Sequence, residues 1–323
     1  LSLSEGIEDK MERIGVLATV GFLAFAAAGC GSPGDSGDEG KMKVAASMSV
    51  FQDMTKEVGG ERVEVSTIVP VGATVETFQP SPSDARKISE SGLVVQNGAG
   101  LESWMQDLIE SAGGEDQRVV ELSNGLETIE SGGYGEHSGE EHAGEDAHVH
   151  EKGNPHLWLD VQNGRHYVEG IRNALIQADP EGEETYRQNA EDYLAELEEL
   201  DGYIEEKTME IPEENRKLVT AHDAFPYFAE AYGFELSGVV IQNPDAQPGS
   251  REVAEIVRTV EREDVPVIFT EPQFNSGLAD TIANEADVEV AELYSDTLVG
   301  DQSGGSYEEM MRTNIDRIVG ALG

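Results

Sequence analysis

Residues 183–209, EETYRQNAEDYLAELEELDGYIEEKTM, set the frame for the rest of the chain. Tyr186, Ala190, Tyr193, Leu194, Leu197 and Ile204 recur there at three- and four-residue steps, the spacing that gathers apolar side chains on one face of an α-helix. Gly202 weakens the segment locally without having to end it. At about 1.5 Å per residue, such a helix spans on the order of 40 Å, the height of two stacked small domains. On both sides of it, short apolar runs alternate with amphipathic stretches. Strands are predicted before it at Val44–Ser47, Val63–Val69, Leu93–Val95 and Val119–Leu122, and helices at Phe51–Val58, Leu101–Ser111 and from Asp160 to about Gln177. Ser81-Pro82-Ser83-Asp84 opens a further helix, with Ser81 as cap, Pro82 in the first turn and Asp84 at the positive end of the helix dipole. After it, strands are predicted at Leu218–Thr220, Val239–Ile241, Val265–Thr270 and Val288–Leu293. Helices are predicted at Phe225–Tyr232, around Val253–Val260, and at Leu278–Ala286 and Tyr307–Leu322. Alternation of this kind implies parallel βαβ units. The fold class is α/β: two parallel-sheet lobes with flanking helices, joined by one long rigid α-helix.

With 323 residues the chain is too long for one ordinary core. Its 21 Lys+Arg against 65 Asp+Glu leave a net charge of −44. That balance excludes a nucleic-acid partner, because phosphate binding needs clustered Lys and Arg. It is the balance of a surface working in concentrated salt, where self-repulsion is screened over a few ångströms. A single Cys excludes a disulfide framework. That residue, Cys30, follows Ala27-Ala28-Gly29 at the end of an apolar run from Ile14 to Ala28. The run is short for a spanning helix and suits an export signal. Small residues before the Cys resemble a lipobox, so Cys30 is expected to be lipidated and to anchor the protein on the outer face of the cell membrane. The organisation expected is a signal, lipobox and flexible tether at 1–40, a first α/β lobe at 41–180, a linking helix at 181–210 and a second lobe at 211–323. Residues 131–153, rich in Gly, Glu and His without apolar spacing, interrupt the first lobe as a loop.

Ligands of open parallel sheets bind beyond the carboxyl ends of the strands. Glu76 follows the strand ending at Val69, and His222 sits directly after Leu218-Val219-Thr220. Asp296 follows the last strand, and His156 opens the segment after the acidic loop. Two imidazoles and two carboxylates from both lobes make a plausible set of ligands for a divalent transition metal. His166 reads as an ordinary helix-surface residue.

Five segments then fall into register. They are Phe78-Gln79-Pro80-Ser81-Pro82-Ser83-Asp84, Asn154-Pro155-His156-Leu157-Trp158-Leu159-Asp160, Thr220-Ala221-His222-Asp223-Ala224-Phe225, Phe269-Thr270-Glu271-Pro272-Gln273-Phe274 and Glu292-Leu293-Tyr294-Ser295-Asp296. In order and spacing, from about Lys43 to the C-terminus, they resemble the zinc/manganese-binding lipoproteins of ABC transporters, the ZnuA/TroA-like solute-binding family. The resemblance implies two α/β lobes bridged by a rigid helix, a metal held in the cleft between them, and a permease as partner. It places the second ligand on His156, the third on His222 and the fourth, a carboxylate, on Asp296. The family's first ligand is usually a His after a Pro, and here those places hold Val75 and Glu76. Glu76 is the candidate replacement, giving a harder set of two nitrogens and two carboxylates that admits manganese or iron(II) more readily.

The loop points the other way. His137, His142, His148 and His150 lie among Glu136, Glu140, Glu141, Glu145 and Asp146. Such loops recur in the zinc-specific branch of the family and would act as an auxiliary capture tract. Imidazole-containing sites also favour zinc over manganese. Zinc is therefore the favoured ion, manganese or iron(II) the alternatives, and a monomeric carrier rather than an enzyme the favoured function. A metallohydrolase would need a general base such as Asp223 or Glu271, and no HExxH arrangement is present. A surface adhesin, a role suggested for some relatives, would make no use of ligands buried at a cleft.

Overall fold

A strand covered by helices on both faces has no polar alternation. Val44, Ala45 and Ala46 of β1 (Met42–Ala46) are accordingly all buried. The chain continues through α1 (Ser49–Gly59), β2 (Val63–Thr67), α2 (Pro82–Glu90), β3 (Leu93–Gln96), α3 (Met105–Ala112) and β4 (Val119–Glu121). The four strands are parallel, in the order β2-β1-β3-β4. Two helices follow, α4 (Val161–Ala178) and α5 (Glu183–Thr208). A second sheet is built from β5 (Lys217–Thr220), α6 (Pro226–Tyr232), β6 (Glu235–Val239), α7 (Ser250–Glu263), β7 (Val267–Thr270), α8 (Gly277–Ala286) and β8 (Glu289–Glu292). It is also parallel, in the order β6-β5-β7-β8, and α9 (Tyr307–Leu322) closes the chain. The computed structural model describes residues 40–112, 117–130, 153–241, 249–274, 277–300 and 305–323. Cys30, the apolar run before it, and His137, His142, His148 and His150 lie outside the described residues.

The start of α2 follows its sequence cues. Pro82 takes the first helical position, and the Asp84 carboxylate accepts from the Ser81 amide at 2.9 Å and the Ser81 hydroxyl at 2.6 Å. Helix α5 is 26 residues long and runs through Gly202 without a break. Its buried face is Tyr186, Ala190, Tyr193, Leu197, Leu200, Ile204 and Thr208, at four- and three-residue steps. Leu194 stands beside this stripe, partly buried and packed against the same core, and Leu200 adds to the stripe. The helix is the covalent passage from one sheet to the other and packs along α1, α4 and α9. One hydrophobic cluster runs from Val44 and Phe51 through Trp158 and Leu197 to Phe228, Phe269 and Ile315, so both sheets share a core.

Two elements depart from expectation. The strand expected at Val239–Ile241 lies at Glu235–Val239, because Gly233, at φ 72°, ends α6 and sends the chain straight into extended backbone. Val240 and Ile241 still donate backbone hydrogen bonds to Thr220 and Ala221, at 2.9 and 2.7 Å. The helix expected from Leu101 starts only at Met105. The turn before it is tied inward by Glu102, whose carboxylate accepts from the backbone amides of Asn97 and Gly98.

Candidate metal centre

Glu76 lies on the segment leaving β2. That segment is pinned where the Val69 amide donates to Ser47 O at 2.9 Å, and where the Trp104 indole donates to Val75 O at 2.8 Å. His156 sits in the turn before α4, and its ring is set by Asn154. The Asn154 side-chain oxygen meets both the His156 amide and its Nδ1 at 3.0 Å, while Asn154 Nδ2 donates to Asp223 O at 2.6 Å. An oxygen acceptor at Nδ1 places the ring proton there and leaves the Nε2 lone pair facing the cleft. His222 follows β5 directly and repeats the arrangement with a carboxylate. Its Nδ1 meets Glu271 Oε1 at 2.7 Å, and Glu271 itself follows β7. Asp296 follows β8, held by the Trp158 indole, which donates to Ser295 O at 2.9 Å.

These turns bring the candidate ligand atoms together. The Nε2 atoms of His156 and His222 face each other at 3.2 Å. Two nitrogens bound to one tetrahedral ion at about 2.0–2.1 Å stand about 3.3 Å apart. Glu76 Oε1 lies 3.6 Å and Asp296 Oδ1 3.8 Å from His156 Nε2. Glu76, His156 and His222 each bring one atom within 4.8 Å of the other two, the only such group of His, Cys, Asp or Glu among the described residues. Asp296 borders that group through His156 rather than joining it at the same radius. Both of its oxygens are buried without a hydrogen-bond partner of ordinary geometry among the described residues. Buried carboxylate oxygen facing two converging imidazole nitrogens is the chemistry of a cation site.

The electrostatics agree. Burial alone would lower the His222 pKa, but the charge and hydrogen bond of Glu271, with Asp296 and Glu76 behind them, raise it to about 10. Burial pushes Asp296 up to about 7, while the His222 cation pulls it down and Glu76 and Glu271 add to the rise. An ion seated on these atoms would have to displace a proton from His222 throughout the neutral range, and a second from Asp296 below about pH 7. Metal affinity at such a site is expected to fall about tenfold per pH unit below about pH 10, more steeply below 7. Titration calorimetry in buffers of different ionisation enthalpy counts those protons, and a pH-independent affinity would contradict the assignment.

Glu271 is not available as the general base of a hydrolase. One oxygen is engaged by His222, and the other accepts from Gln273 Nε2 at 3.0 Å and from the Ser295 hydroxyl. It fixes the ring of His222, a candidate ligand, a contact that its position after β7 and its spacing from His222 did not disclose. Asn154 does the same for His156. His166 lies on α4 with its Nε2 3.0 Å from Asn124 O, a surface role as expected.

Imidazoles and carboxylates that converge beyond the strand ends of a parallel α/β fold form a candidate metal centre. The family model for zinc-uptake complex component A, periplasmic, matches residues 44–321, and the chain belongs to that family. Its members are solute-binding components of ABC transporters and not enzymes. The chain is 35% identical over 316 residues to the manganese-binding lipoprotein MntA of Halalkalibacterium halodurans, covering 97% of this chain and 99% of the relative. It is 30% identical over 314 residues to the metal ABC transporter substrate-binding lipoprotein FimA of Streptococcus parasanguinis, covering 95% and 97%. Among solved structures, the periplasmic zinc-binding protein TroA of Treponema pallidum superposes with a TM-score of 0.75 at 27% identity, over 88% of this chain and all of that one.

Proposed function

We propose that the protein captures a divalent transition-metal ion between Glu76, His156, His222 and Asp296 and delivers it to an ABC permease. We further propose that it does so outside the cell, anchored through a lipid on Cys30. The observation that supports this most is the pair of Nε2 atoms at 3.2 Å, each ring turned by an acceptor on its Nδ1, with buried carboxylates on the flank. The domain layout fits the same reading: a first lobe at 41–180 supplies Glu76 and His156, a linking helix occupies 181–210, and a second lobe at 211–323 supplies His222 and Asp296. The His-rich tract within 131–153 would gather zinc ahead of the cleft.

Zinc binds more tightly than manganese at any imidazole site, and exchanging one imidazole for Glu76 narrows that gap. The narrowing accommodates both a relative named for manganese and a structural neighbour named for zinc. Elemental analysis of protein isolated without added metal, followed by competition of zinc against manganese, tests the reading. A chain that binds neither ion would remove it. Glu76→His is expected to raise the zinc-to-manganese affinity ratio by about tenfold or more, as oxygen gives way to nitrogen. An unchanged ratio would take Glu76 out of the ligand set.

A further inference from the structure

We infer that Glu102 is a positioning residue for this centre, holding the His156 turn in place through Asn97. The inference rests on the metal-site reading above. Glu102 lies on the turn before α3, where neither its type nor its spacing marks it in the sequence, and it is buried. Its Oε1 accepts from the Ser47 hydroxyl at 2.7 Å and the Asn97 amide at 2.9 Å, and its Oε2 from the Gly98 amide at 3.2 Å. One carboxylate thus grips the carboxyl ends of β1 and β3 together. Ser47 in turn receives the Val69 amide, where the Glu76 segment begins.

Asn97, held by its own amide, passes the constraint on. Its Nδ2 donates at 2.8 Å to the carbonyl of Pro155, the residue before His156, and its side-chain oxygen accepts from the Tyr167 hydroxyl of α4. The backbone between Asn97 and Glu102 is strained. Gly98, Ala99 and Gly100 stand at φ 80°, 50° and 87°, and in the left-handed region the Cβ of Ala99 crowds the following carbonyl oxygen. Such a conformation persists only where its surroundings over-determine it. Burial drives the Glu102 carboxyl up to about 7, against the pull of Ser47 and the two backbone amides. An apolar side chain would fill the same space without that cost, but it would leave three donors unsatisfied and the turn unfixed. Gln, isosteric with Glu, would turn an amide donor toward either the Gly98 amide or the Asn97–Ser47 pair.

The test compares the full chain with Glu102→Gln and Asn97→Ala. Cobalt(II) serves as spectroscopic probe, zinc and manganese affinities come from chelator competition, and thermal unfolding of the metal-free proteins checks folding. Glu102→Gln is expected to lower affinity by about 10- to 100-fold and to shift the intensity and position of the cobalt d–d bands, which a purely structural role would leave alone. Asn97→Ala removes the link to Pro155, leaves the Glu102 backbone partners in place, and is expected to produce the same spectral shift with a smaller loss. Wild-type affinity and spectrum in both folded variants would overturn the inference. If Glu102→Gln does not fold, wild-type behaviour of Asn97→Ala overturns it alone. An unsubstituted chain that binds none of the three ions overturns the site reading, and this inference with it.

Discussion

Replacing His222 with alanine is expected to weaken metal binding by about a thousandfold or more, on the order of 4 kcal/mol. The substitution removes one of the two nitrogens that converge at 3.2 Å and leaves His156 with carboxylates alone. It also strands Glu271, which is buried and whose cationic partner in the metal-free protein is the His222 ring. An uncompensated buried carboxylate destabilises a fold by several kcal/mol, although Gln273 and Ser295 still donate to it. The two effects separate in the double variant His222→Ala with Glu271→Gln. That variant is expected to recover stability in denaturant titration without recovering metal affinity in chelator competition. Tight zinc binding by His222→Ala would show that the ion sits elsewhere.

Trp158→Ala is expected to cost about 3–5 kcal/mol of stability, read as a fall in melting temperature on the order of 10 °C. The ring is fully buried, meets Phe51 edge-on at 5.5 Å and stands 5.2 Å from the His156 ring. Its indole also donates to Ser295 O beside Asp296, so the same change loosens a candidate ligand on each half of the molecule. Trp158→Phe keeps most of the packing and loses only the donor. It is expected to spare stability largely while still weakening metal binding. Equal stability of Trp158→Ala and the unsubstituted chain would contradict the shared core.

The alternation of short apolar runs with amphipathic stretches was enough to assign two parallel sheets, because burial on both faces and the helical stripe each leave a local period in the chain. Most element boundaries followed within a few residues, and Tyr307–Leu322 without shift. The slip at Glu235–Val239 came where a left-handed glycine, rather than apolar character, set the start of the strand. Glu76, His222 and Asp296 were legible as candidates because chain order places them after strand ends, where a parallel sheet gathers polar side chains. His156, in the turn before α4, was instead picked out by the segment around it.

Glu271, Asn154 and Glu102 were not assigned their roles from the sequence. Glu271 supports His222 from 49 positions away, and Glu102 reaches Ser47 across 55. Such pairings have no period and no local spacing. The alternation of elements follows from local patterns of burial, and the candidate ligands from their places in that alternation together with the family resemblance. Which nitrogen of each ring faces the cleft, and which buried acid holds which turn, depend on hydrogen bonds between segments that meet only when both sheets close on one core.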